Sequence, residues 1–291
     1  MSEYSILRRI SRADIRHEPY AHVVIKNCLP TPLYEQLARA YPSDETIFRL
    51  GKSANGGHPP PNSRHDVGAL RILQNTDCFA AAWLEFVRYH VSHAFFQELL
   101  GLLELEIKAA HPQLERRLGR PLRELTTAVR YAPGAAECQV ALDCHIGINT
   151  PSGTRSSVRR VHTDAPDELF AALFYFRSDR DAASGGDLEI FEWKRNKPHL
   201  FVGSEVDEAD AERVHTVAYE PNTAVIFINS EVALHAVSAR APAAASRRLV
   251  NIMGRVHHSI PEGLFVKHQK TDLLSLGRRA LHRYKIATER F

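Results

Sequence analysis

Apolar and polar positions alternate with two different periods along this chain, and the change falls near residue 124. Upstream, Phe79, Trp83, Phe86 and Val87, then Phe95, Phe96, Leu99 and Leu100, recur at helical intervals between Asp77 and Glu115. That spacing predicts helical structure whose apolar stripe packs against a larger layer. TPLYEQLARAYP (31–42) predicts a shorter helix ended by Pro42, which cannot donate the next helical hydrogen bond. HEPYAHVVIKNCLP (17–30), just before it, reads as a strand leading to a turn.

Downstream the period shortens. TTAVRYAP (126–133), CQVALDCHIGIN (138–149), AALFYFR (171–177), GGDLEIFEW (185–193), RVHTVAYEP (213–221), TAVIFIN (223–229) and RRLVNIMGRV (247–256) read as short strands between Gly, Pro, Asn and Asp turn signals. Such a run predicts a barrel or sandwich. The chain therefore divides into a strand and helical support region (1–123), a β-rich core (124–260) and a basic helical extension (261–291), within one integrated domain. GKSANGGHPPPNSR (51–64) has the composition of a loop, either a mobile connection or a lid. KRNKPHLFVGSEVDEADAER (194–213) reads as a polar insertion that covers a pocket, and DLLSLGRRALHRYKIATERF (272–291) as a helix that caps the fold or joins a homodimer.

Composition narrows the class without choosing the chemistry. Of 291 residues 44% are hydrophobic and 24% charged, which suits a soluble domain with a substantial core. A net charge of +3, spread along the chain, predicts no nucleic-acid partner. Cys28, Cys78, Cys138 and Cys144 show no CxxC spacing and read as free thiols. The polar N-terminus shows no signal-peptide core and no apolar run is long enough to span a bilayer, so the expectation is a cytoplasmic protein without a membrane partner.

Chemistry concentrates at His162-Thr163-Asp164. Residues two apart on a strand share a face, so His162 and Asp164 can reach one ion, although the Ala165-Pro166 turn offers Asp164 an approach from the strand's end. His235, on a later strand, supplies a third ligand. Two imidazoles and a carboxylate on one face of an octahedron leave positions open, which suits non-haem Fe(II). About one H-x-D tripeptide is expected by chance in such a chain, so the motif draws its weight from the strands around it.

From Thr126 to Val256, under half of the chain, the sequence resembles the double-stranded β-helix of Fe(II)/2-oxoglutarate-dependent oxygenases of the prolyl-hydroxylase-like and phytanoyl-hydroxylase-like kind. The resemblance rests on His162-Thr163-Asp164, the GGDLEIF run (185–191), His235-Ala-Val, and an arginine opening the final strand twelve residues after His235. It implies a mainly β fold with α, a jelly roll of cupin-like form with packing helices from the N-terminal part. It also implies Fe(II) held by His162, Asp164 and His235, with 2-oxoglutarate and O2 as cosubstrates. Arg247 would bind the distal carboxylate, assisted by the Tyr175 hydroxyl, with Asn149 and Asn251 facing the cosubstrate. Arg247 shares a strand face with Leu249, Asn251 and Met253, whereas Arg248 falls on the other face with Val250 and Ile252.

The expected reaction is oxidation of an unactivated C–H bond of a small molecule, an amino-acid-derived or other tailoring-pathway metabolite. Asp164 stands where related halogenases carry Gly or Ala, so hydroxylation is the default, with desaturation and ring closure left open. His145, Arg155 and Arg159 are candidate substrate contacts, His145 having an alternative as a satisfied core histidine. Three rival readings remain: a protein side-chain hydroxylase, a cupin-like metal enzyme that does not use 2-oxoglutarate, and a non-catalytic barrel. The fold alone does not choose among them.

Overall fold

A computed structural model of the chain describes residues 2–51, 60–194 and 206–265. Among them are ten strands: β1 (His22–Ile25), β2 (Arg64–Val67), β3 (Thr127–Val129), β4 (Val140–Asn149), β5 (Glu168–Tyr175), β6 (Leu188–Trp193), β7 (Ala211–Val217), β8 (Thr223–Ile228), β9 (Leu234–Val237) and β10 (Arg247–Arg255). The helices are α1 (Thr31–Arg39), α2 (Asp44–Leu50), α3 (Ala69–Gln74), α4 (Ala81–His90), α5 (His93–Ala110) and α6 (Leu114–Leu118). The larger sheet runs β1-β8-β5-β10-β4-β2, with β3 parallel to β4; the smaller runs β7-β6-β9. This is a mainly β double-stranded β-helix with helices on one side. The sheets face each other without closing, and the N-terminal region supplies β1 and β2 at opposite ends of the larger one.

Strand alternation decides which face holds what. In β5, Phe170, Ala172 and Phe174 join the helix-side core, while Ala171 and Tyr175 turn into the space between the sheets. In β10, Val250 and Ile252 go to the helices and Leu249 to the inter-sheet side. There it meets Leu188 and Ile190 of β6, Val217 of β7 and Phe227 of β8. The helix layer is anchored by Trp83, fully buried, edge-on to Tyr41 at 5.4 Å and 5.0 Å from Phe176. Its indole N–H donates to the Leu37 carbonyl at 3.0 Å, which satisfies the one polar atom it buries.

The apolar stripe of residues 79–100 packs onto the larger sheet, but it is not one helix. The chain breaks at Val91-Ser92, and Ser92 Oγ caps α5 by accepting from the Phe95 amide at 3.2 Å. Apolar periodicity runs through this break and conceals it. Two connections make pairings that local composition does not announce. Residues 64–67, at the end of the Gly/Pro-rich stretch, form β2, paired antiparallel with β4. SGTRSSVRR (152–160) runs beside residues 237–243 through bridges of Ser152 to Ala243 and Ser156 to Arg240. The supposed lid or connection lies outside the described residues at 52–59, as do 195–205 of the polar insertion and the C-terminal segment from 266. The four cysteines are free. Among the described residues, no helix is long and apolar enough to cross a membrane.

Candidate metal centre

His162 and His235 meet across a two-residue antiparallel bridge. The His162 amide donates to the His235 carbonyl at 3.0 Å, and the His235 amide donates back at 2.9 Å. The bridge sets the imidazoles side by side, 4.2 Å between centroids. Each ring is turned by its own backbone: His162 Nδ1 lies 2.7 Å from the Arg160 carbonyl and His235 Nδ1 3.1 Å from that of Ala233. An Nδ1–H donated to a carbonyl fixes the tautomer and leaves the Nε2 lone pair for a metal. Burial, then the neighbouring His235 and Arg159, lower the His162 pKa to about 2, so the ring is neutral.

His162 stands on an isolated bridge, and Asp164 lies two residues beyond it, in the irregular segment that leads to the turn at Pro166-Asp167. Its Oδ1 is 3.7 Å from both Nε2 atoms, and the three ligand atoms lie within 4.8 Å of one another. Octahedral bonds of about 2.1 Å set neighbouring ligand atoms about 3.0 Å apart, so the two 3.7 Å edges would shorten by about 0.7 Å around an ion. Asn229 pins the turn from beneath, its amide donating to the Ala165 carbonyl at 2.8 Å and the Glu168 carbonyl at 2.9 Å.

The three ligands open into a cavity of about 330 Å³ between the sheets. Arg247, 2% exposed, lines the same cavity. Its Nε donates to the Gly186 carbonyl at 2.8 Å and its NH1 to Asn149 Oδ1 at 3.2 Å. The guanidinium lies 4.5 Å from the Tyr219 ring centroid and 5.1 Å from that of Tyr175. Register carries Asn149 there, since it pairs with Arg247 across β4 and β10. Gly185 and Gly186 both take left-handed backbone, at φ 80° and 79°, and a Cβ on Gly186 would stand 3.1 Å from Arg247 Nε. Arg248 points the other way, over Tyr41 at 5.1 Å.

Asn149 Nδ2 and Asn251 Oδ1, both on residues lining the cavity, are buried without a hydrogen-bond partner, as is the hydroxyl of Tyr175, whose ring packs on Arg247 although Tyr175 is not among the lining residues. Unmet polar groups converging on a cavity are what a polar ligand would satisfy. Burial raises the Tyr175 pKa to about 12 against the pull of Arg247, so the phenol keeps its proton as a donor.

The candidate substrate contacts separate. His145 lines the cavity, but both ring nitrogens are engaged, Nδ1 with Asp66 at 3.1 Å and Nε2 with Asp143 at 2.8 Å. Arg159 lines the cavity at its exposed side, whereas Arg155 is exposed and is not among the lining residues. Sequence reasoning missed Arg64, Asp66, Arg130, Glu168 and Arg255, all of which line the cavity. Arg255 is bound to Asp167 at 3.2 Å and Glu168 at 2.6 Å. Burial and Asp164 raise the Glu168 pKa against that pairing. Opposite charges at Glu168, three residues before the predicted strand 171–177, and Arg255, near the end of the predicted strand 247–256, were the available signal, but it could be read only with the register that pairs them.

No protein-family model and no curated protein sequence matches this chain. Solved structures do. The chain is similar to a prolyl-4-hydroxylase of Pseudomonas putida at 17% identity, covering 80% of this chain and 91% of that one, with a TM-score of 0.39. It is similar to a prolyl hydroxylase of Trichoplax adhaerens in complex with a hypoxia inducible factor peptide fragment at 11% identity, covering 82% and 84%, with a TM-score of 0.44. A third is a dioxygenase for auxin oxidation from Arabidopsis thaliana in its 2-oxoglutarate binary complex, at 12% identity, 81% and 82% coverage, and a TM-score of 0.38.

Proposed function

We propose that this chain is an Fe(II)- and 2-oxoglutarate-dependent oxygenase that hydroxylates an unactivated C–H bond of a small molecule. The observation that carries the reading is the convergence of His162 Nε2, Asp164 Oδ1 and His235 Nε2 on one point of a cavity that also holds Arg247. A rigid, permanently charged guanidinium suits a dicarboxylate's far end, and the unpartnered Tyr175 hydroxyl and Asn149 amide nitrogen suit its remaining oxygens. A cupin-like enzyme that does not use 2-oxoglutarate would leave those groups without a purpose.

With Fe(II) bound, the chemistry supplied would be the coupled conversion of 2-oxoglutarate and O2 to succinate and CO2, with the second oxygen atom inserted into the substrate C–H bond. The chain's own residues orient and exclude. His162 and His235 are held in one tautomer by the Arg160 and Ala233 carbonyls. Leu188, Phe227 and Leu249 form the apolar wall that keeps water from the reacting end. The cavity volume of about 330 Å³ sits at the small end for ligand sites and supports a small molecule over a protein side chain.

Succinate formation by protein supplied with Fe(II), 2-oxoglutarate and O2 tests the reading. Slow turnover without added substrate is expected, suppressed by His162→Ala and by Arg247→Ala. Succinate output that is absent in the wild type, or the same in all three proteins, would reject it.

A further inference from the structure

We infer that the substrate carries an oxyanion, a carboxylate or phosphate, held by Arg130 where the metal cavity opens into a second cavity. For what is done to that substrate the inference rests on the oxygenase reading; its binding can be tested separately. The second cavity, about 350 Å³, is lined by Leu50, Leu70, Arg71, Gln74 and Tyr131 among others. It shares Asp66, Arg130 and His145 with the metal cavity.

Two of the three shared residues are spent on each other. His145 bridges Asp66 and Asp143; Asp66 also accepts from Arg64 Nε at 3.2 Å, and Asp143 Oδ1 accepts from the amides of Ala69 at 2.9 Å and Cys144 at 3.0 Å. Asp66 and Asp143 are thus matched in charge by His145 and Arg64. Arg255 is likewise taken by Asp167 and Glu168, and Arg247 by Gly186 and Asn149.

Arg130 differs from all of them. Its contact with Asp143 is 3.8 Å, beyond hydrogen-bond reach, and falls on the oxygen that His145 already engages. Its Nε is buried without a hydrogen-bond partner. The side chain is nonetheless held in place. The Arg130 amide donates to the Leu142 carbonyl at 2.8 Å, and the guanidinium lies 4.4 Å over the Tyr131 ring. Tyr131 adopts φ 64°, a left-handed conformation that is uncommon for a bulky residue. A guanidinium fixed on an aromatic face with N–H donors unmet is built for a planar, bidentate anion. The apolar part of such a substrate fits beside Leu70 and Tyr131 in the second cavity.

The test is equilibrium binding to the metal-free full chain, followed by protein NMR, of hydrocinnamate, phenyl phosphate and the uncharged hydrocinnamamide. Wild type should bind at least one of the two anions about tenfold or more tightly than the amide. Arg130→Gln should abolish that preference, Arg130→Lys should keep part of it, and Arg39→Gln, an exposed position that lines neither cavity, should leave it unchanged. Whichever anion is preferred identifies the group. 2-Oxoglutarate is titrated separately into the iron-loaded protein, so failure of the oxygenase reading there would leave this result standing. Absence of saturable binding by either anion, equal binding of acid and amide, or an undiminished preference in a folded Arg130→Gln variant would overturn the inference.

Discussion

His162 and His235 exchange two backbone hydrogen bonds, at 3.0 and 2.9 Å, so the spacing of the two imidazoles is fixed by main chain before any side chain is placed. A metal site framed this way is set by the fold itself. Removing one imidazole should therefore remove the ion without unfolding the protein.

His162→Ala and His235→Ala should each lower Fe(II) affinity by about a hundredfold or more, a loss at least as large as that from outer-shell changes at metal sites. Competition with a chelator of known affinity measures it, and far-ultraviolet circular dichroism should be unchanged. Wild-type affinity in either variant would remove these residues from the ligand set.

Arg247 and Arg248 are neighbours with opposite duties. Arg247→Leu should abolish 2-oxoglutarate binding, and Gly186→Ala should weaken it, because the added methyl would press on the guanidinium at 3.1 Å from Nε. Arg248→Leu should leave binding intact and cost about 1 kcal/mol of stability through lost stacking on Tyr41. Calorimetric titration and chemical denaturation of the three variants separate the effects.

Trp83→Ala should destabilise the protein by about 3–5 kcal/mol, since it empties a fully buried site within the aromatic cluster under the larger sheet. Urea denaturation checks the magnitude. A loss below about 1 kcal/mol would mean that the helix layer is not packed as described.

Stability should also fall in mild alkali because of His145. Burial opposes its charge, but Asp143 and Asp66 outweigh burial and raise its pKa to about 9, against about 6.5 for a free imidazole. The folded state holds that proton more tightly than the unfolded state. The contribution is therefore fully present below about pH 6.5 and is lost as pH rises through about 9. Denaturation midpoints measured across that window should decline in wild type and flatten in His145→Gln; parallel slopes would contradict the assignment.

What was legible in the sequence is what local spacing encodes. Alternation along residues 247–255 separated Arg247 from Arg248, and the Ala165-Pro166 turn signal already offered Asp164 a place beyond the strand's end. What stayed hidden depends on register between distant strands. Asn229 reaches Ala165 across 64 residues, and Arg255 reaches Glu168 across 87. Arg130 gave no signal at all, because its place between two cavities arises from β3 lying parallel to β4. The break at Ser92 did carry a local sign, a capping hydroxyl, but uninterrupted apolar periodicity outweighed it.

The most direct measurement is anaerobic calorimetric titration of 2-oxoglutarate into wild type, with and without Fe(II), beside the doubly substituted His162→Ala, His235→Ala protein. Saturable, iron-dependent binding to wild type alone is the predicted result. Binding that is absent from iron-loaded wild type, or equally strong without iron or without the two histidines, would contradict the assignment of this cavity.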